Sequence, residues 1–137
     1  GYIYAMKYFL LIFFLLIFSC SSNGDGSNSA TGINPPSWIQ GVYLQEISGQ
    51  VYPIGYEFKT NDICTIVAAT SCYKAQLDIY DGSPNFKTNV YEEIDSDRYS
   101  IEITIGPSIF NYEFIKISNT SIKQILQTGN ETIYTLQ

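Results

Sequence analysis

The sequence predicts a mostly β body: an antiparallel eight-stranded meander barrel with one short helix, behind an apolar leader and a flexible linker. Three observations predict it. Tyr99, Ile101, Ile103 and Ile105 alternate with Arg98, Ser100, Glu102 and Thr104, the two-residue period of a half-buried strand. Short apolar stretches recur between turn clusters rich in Gly, Asn, Ser and Asp. One stretch, residues 71–80, breaks that period with apolar residues three and four apart.

The leader comes first. Lys7 precedes an unbroken apolar run over residues 8–18, and Ser19-Cys20 follows. Eleven helical residues reach about 16 Å, whereas a bilayer core of about 30 Å needs about 20 residues. A short apolar core behind a positive charge reads as an export signal rather than a spanning helix. Met6 is the expected first residue of the translated chain. The end of the run, Ile17-Phe18-Ser19-Cys20, resembles the lipobox of bacterial lipoproteins. The resemblance implies that residues 1–19 are a cleaved lipoprotein signal peptide. It also implies that the Cys20 thiol carries a diacylglyceryl group, with a further palmitate-type acyl chain on the new amine. Several chains anchor a protein to a membrane far more firmly than one. An ordinary secretory leader with an incidental cysteine is the competing reading.

Residues 20–36 read SSNGDGSNSATGINPP after Cys20, a composition too polar for a core, and form a flexible tether. The domain is expected over 37–137. Its strands are predicted at 38–46, 51–59, 63–67, 89–94, 98–105, 109–117, 121–127 and 132–136. Turns are predicted at Ser48-Gly49, Thr60-Asn61-Asp62, Gly106-Pro107-Ser108, Ser118-Asn119-Thr120 and Thr128-Gly129-Asn130. The helix over 71–80 takes Ser71 as its cap, turns Tyr73, Leu77 and Tyr80 to one side, and closes at Asp81-Gly82.

Eight strands suffice to close a barrel and remove its exposed edges. Such an interior is filled by side chains or holds one small ligand. Tyr43, Tyr56, Phe58, Tyr99, Tyr112, Phe114 and Tyr134 are the residues expected to line it. Inward tyrosine hydroxyls need partners. They serve either a bound amphipathic ligand or a filled core, and the sequence leaves both open.

Composition removes several chemistries. The chain has no histidine, so the usual nucleophile–histidine pair is out of reach. It has three cysteines, too few with no histidine for a zinc set, and no metal or cofactor is expected. Cys64 and Cys72 are read as a disulfide in an oxidising compartment, against two buried thiols as the alternative. Without the leader, six basic and thirteen acidic residues remain, net −7. That balance disfavours nucleic acid. Glu92 and Glu93 are adjacent and face opposite sides of a strand, and Asp95-Ser96-Asp97 is a turn. Neither arrangement makes the facing carboxylate pair of a glycosidase.

Several stretches carry a wider resemblance: PPSWIQGVY (35–43), YEFKTNDIC (56–64), YSIEITIG (99–106), YEFIKIS (112–118) and ETIYTLQ (131–137). They resemble small uncharacterised bacterial envelope lipoproteins with a lipocalin-like β-barrel domain. Lipocalins proper carry Gly-x-Trp in the first strand, whereas Gly41-Val42-Tyr43 has tyrosine in third place and Trp38 upstream. The resemblance implies a lipid-anchored protein of the cell envelope, at the outer membrane, with its domain outside the cytoplasm. The expected function is non-enzymatic: the barrel binds a small hydrophobic ligand, or it is a structural or protein-interaction module with a filled core. The membrane, through its anchor, and an envelope protein are the other expected partners.

Overall fold

The computed structural model describes residues 32–137. The predicted signal peptide, Cys20 and the tether up to residue 31 lie outside the described residues. Nine strands and one helix follow each other: β1 (Gly41–Ile47), β2 (Gln50–Phe58), β3 (Ile63–Val67), β4 (Ala69–Cys72), α1 (Tyr73–Tyr80), β5 (Thr88–Ile94), β6 (Arg98–Ile105), β7 (Ser108–Ser118), β8 (Ser121–Ile125) and β9 (Glu131–Leu136). All strands join one sheet in the order β4-β3-β2-β1-β9-β8-β7-β6-β5. Every neighbouring pair is antiparallel. The first and last strands meet in its middle, with Tyr43 opposite Leu136.

The mostly β, antiparallel body with one helix is as the sequence predicts, but eight strands become nine and the barrel becomes a curled half-barrel. The additional strand is β4. Its turn carries no glycine or proline, because Ala68 itself takes the left-handed φ of 62°. The Ala68 N–H donates to the Pro53 carbonyl at 2.9 Å, which holds that turn against β2. A ninth strand changes the closure problem. Eight antiparallel steps separate β4 from β5, so the two edges of the sheet run parallel. A chain leaving one must travel back before it enters the other, a return commonly made by a helix. Helix α1 makes that return.

Tyr73 and Leu77, four residues apart on α1, are buried in the core. The first turn is capped from a distance. Asp62, at the foot of β3, accepts the Lys74 N–H on Oδ1 at 2.9 Å and the Ile63 N–H at 2.8 Å. The predicted cap, Ser71, lies in β4 instead, and its hydroxyl accepts from Gln76 Nε2. The packed body also starts earlier than residue 37. Ile33 and Ile39 are buried in the core, and the Asn34 N–H donates to Glu92 Oε1 at 2.7 Å. Trp38, predicted to open the first strand, sits in a 3₁₀ turn at Ser37–Ile39 and donates Nε1–H to the Asp95 carbonyl.

The inner face of the sheet makes the core. On β6 the alternation is complete: Tyr99, Ile101, Ile103 and Ile105 are buried, and Arg98, Ser100, Glu102 and Thr104, which alternate with them, are half-exposed. Each large apolar side chain so buried contributes about 1.5–3 kcal/mol. β2 leaves no room for a side chain at Gly55, where an added Cβ would lie 1.9 Å from the Tyr43 carbonyl oxygen on β1. The β1–β2 register is irregular beside it, after Leu44.

Candidate functional site

The structure brings all seven predicted interior aromatics together. Strand parity sets Tyr43 on β1, Tyr56 and Phe58 on β2, Tyr99 on β6, Tyr112 and Phe114 on β7 and Tyr134 on β9 on the inner face. Tyr56 is their hub. Its ring centroid lies 4.9 Å from Phe114, 5.3 Å from Tyr134 and 5.7 Å from Tyr112, each edge-to-face. Phe58 meets Phe114 at 5.0 Å and Tyr43 at 5.9 Å in the same manner. Edge-to-face rings add about 0.5–1.5 kcal/mol per pair beyond burial.

Four of the five tyrosine hydroxyls in this cluster, those of Tyr56, Tyr99, Tyr112 and Tyr134, find partners within the body. Tyr56 and Tyr134 both donate to Gln124 Oε1, at 2.9 and 3.2 Å. Gln124 is buried on β8, one of two buried polar side chains among the described residues. Tyr73 and Tyr112 share a hydrogen bond between their hydroxyls. Tyr99 donates to Glu92 Oε1 at 2.6 Å. Burial is the first cause that holds the Tyr56, Tyr73 and Tyr99 protons well above the ordinary range. The Tyr134 and Tyr112 hydroxyls next to Tyr56, the Tyr112 hydroxyl bonded to Tyr73, and the Glu92 charge beside Tyr99 add to it.

The adjacent acids part as expected. Glu92 turns inward to Tyr99, while Glu93 turns outward, 3.6 Å from Arg98. Cys64 and Cys72 are a disulfide, across the β3–β4 pair. Asp62 lies beside the two sulfurs, a grouping of metal-ligand type. It does not suit a metal: the sulfurs are joined to each other rather than free as thiolates, and the Asp62 carboxylate already accepts two N–H groups.

The surface of the described residues includes two hollows. One, of about 330 Å³, lies between Tyr80, Phe86 and the β6–β7 turn. The other, of about 380 Å³, is a groove on the outer face of β5, β6 and β7, walled on its far side by Ile125, Leu126 and Gln127. Of the seven predicted aromatics only Tyr112 borders either one. The groove exists because β8 leaves β7. The two strands pair from Phe114–Gln124 to Ser118–Ser121, and beyond Gln124 strand β8 follows β9 alone, through Ile125–Glu131.

Sequence reasoning missed Gln124, Asp62 and this groove. An inward-parity glutamine in the run Ile122-Lys123-Gln124-Ile125 was the signal available for the first. The other two depend on contacts between elements far apart in the chain. No known protein family, no curated protein and no solved structure matches this chain.

Proposed function

We propose that the protein is a non-enzymatic lipoprotein of the cell envelope, anchored through Cys20, whose β body works by presenting its outer surface to another protein. One observation carries the choice between surface and interior. The aromatic side chains at the centre of the curl pack edge-to-face on one another, and the Tyr56 and Tyr134 hydroxyls are spent on Gln124. A ligand entering there would have to displace rings and break hydrogen bonds already made, which costs binding free energy. The apolar leader ending at Cys20 supports the envelope setting.

A titration of the full chain with a fatty acid and with a hydrophobic fluorescent dye tests this reading. Neither is expected to bind saturably, and tyrosine emission is expected to stay unchanged. One-to-one binding that is lost in Tyr56→Ala would transfer the function to the interior. The anchor has its own test. Cys20→Ser is expected to abolish acyl labelling and to release the chain from membranes. Retention of both in that variant would reject Cys20 as the attachment point.

A further inference from the structure

Resting on the surface-recognition reading, we propose that the groove between β7 and β8 takes up an extended lysine- or arginine-bearing segment of a partner protein, added as a strand along residues 109–113 of β7.

The first support is main-chain. β7 pairs with β6 from Ser108 to Ile115, but with β8 only from Phe114 onward. Antiparallel strands direct their hydrogen bonds to one neighbour and the other in alternation. Alternate residues among 109–113 therefore turn N–H and C=O groups away from β6, and these meet no backbone partner among the described residues. An unpaired strand edge is a template for a further strand, and peptide recognition by strand addition uses it. Here the edge lies within a groove that has a second wall, made by residues 125–127.

The second support is charge, and it arises from a different set of atoms. Register places Tyr91, Glu102 and Asn111 in one row across the outer face, and Glu93, Ser100 and Glu113 in the next. Arg98 is committed to this patch already, 2.8 Å from Glu113 and 3.6 Å from Glu93. Glu102 has no ion-pair partner among the described residues. Three carboxylates against one guanidinium leave the groove negative, which selects a cationic occupant and disfavours an acidic one. A basic side chain from the added strand reaches Glu102 in the row that also holds the Tyr91 ring. Ile125 and Leu126 give its apolar neighbours a wall to pack on. The volume, about 380 Å³, falls in the range of ligand sites.

The test titrates the isotope-labelled full chain, in a neutral detergent, with three short peptides read by amide NMR spectra. One alternates lysine with valine. The second replaces lysine by glutamate. The third is the lysine peptide N-methylated on alternate backbone nitrogens. The lysine peptide is expected to move the amides of residues 109–113 and 125–127, and the N-methylated and glutamate peptides are not. Glu102→Gln is expected to weaken binding about tenfold, the loss of one charge-assisted contact. Asp78→Asn, on the exposed side of α1, is expected to leave it unchanged. The proposal is overturned if the lysine peptide moves no amides, moves those of another edge such as β5, or binds no better than its glutamate counterpart. Those outcomes leave the surface-recognition reading intact. That reading falls on the separate result of a hydrophobic small molecule saturably displacing the signals of Tyr56, Tyr99 and Tyr134.

Discussion

Tyr99 on β6 donates its hydroxyl to Glu92 Oε1 on β5 across 2.6 Å, and the same oxygen accepts the Asn34 N–H at 2.7 Å. One carboxylate oxygen thus ties a fully buried ring to the segment that leads into β1. Glu92→Ala leaves that hydroxyl and that N–H without their acceptor and is expected to cost about 2–3 kcal/mol. Tyr99→Phe removes the donor cleanly and is expected to cost about 1 kcal/mol. Urea denaturation of both variants checks the order. A Glu92→Ala cost no larger than that of Tyr99→Phe would contradict the shared-acceptor role.

The buried tyrosines give stability a ceiling in alkali. Tyr43, Tyr56, Tyr73, Tyr99, Tyr112 and Tyr134 all hold their protons above the ordinary value of 10.0, with burial the first cause in each. Raised folded-state values mean that the unfolded chain loses protons first. Their contribution is therefore complete below pH 10.0 and is lost as pH rises beyond it. Tyrosinate absorbance is expected to rise together with loss of the β circular-dichroism signal. Ionisation of most tyrosines near pH 10.0 with the β signal intact would show that these rings are not buried.

Gly55→Ala tests the close apposition of β1 and β2. Its Cβ would meet the Tyr43 carbonyl oxygen at 1.9 Å, so β1 and β2 must move apart where their register is already irregular. The expected loss is about 1–3 kcal/mol. An alanine variant with unchanged urea midpoint would mean that the strands are less tightly apposed.

The Cys64–Cys72 bridge closes a loop with a sequence separation of eight, on the shortest strand of the sheet. Its removal in the double alanine variant is expected to cost about 2–3 kcal/mol on the chain-entropy account. Reductant is expected to lower the stability of the native chain by a similar amount and to leave the double variant unaffected. Equal sensitivity of both would place the effect elsewhere.

How much of this was legible depended on how local the cause was. β6 declares itself because one face of one strand decides its alternation. The seven aromatics follow from the same parity, which needs no partner to be known. β4 stayed hidden because Ala68 adopts a positive φ that its residue type does not advertise. The cap of α1 was misread at Ser71 because the real one, Asp62, acts from twelve residues away from Lys74. Gln124 makes sense only once Tyr56, sixty-eight residues distant, is seen to reach it. The outer groove depends on the point at which β8 parts from β7, which neither strand's own pattern encodes.

Native mass spectrometry of the full-length protein, purified from its source without denaturation, tests the filled interior most directly. The expected spectrum contains one species, a chain beginning at Cys20 with its acyl groups and no non-covalent companion. A stoichiometric small molecule that stays bound through extraction and leaves on collisional activation would contradict a solid core.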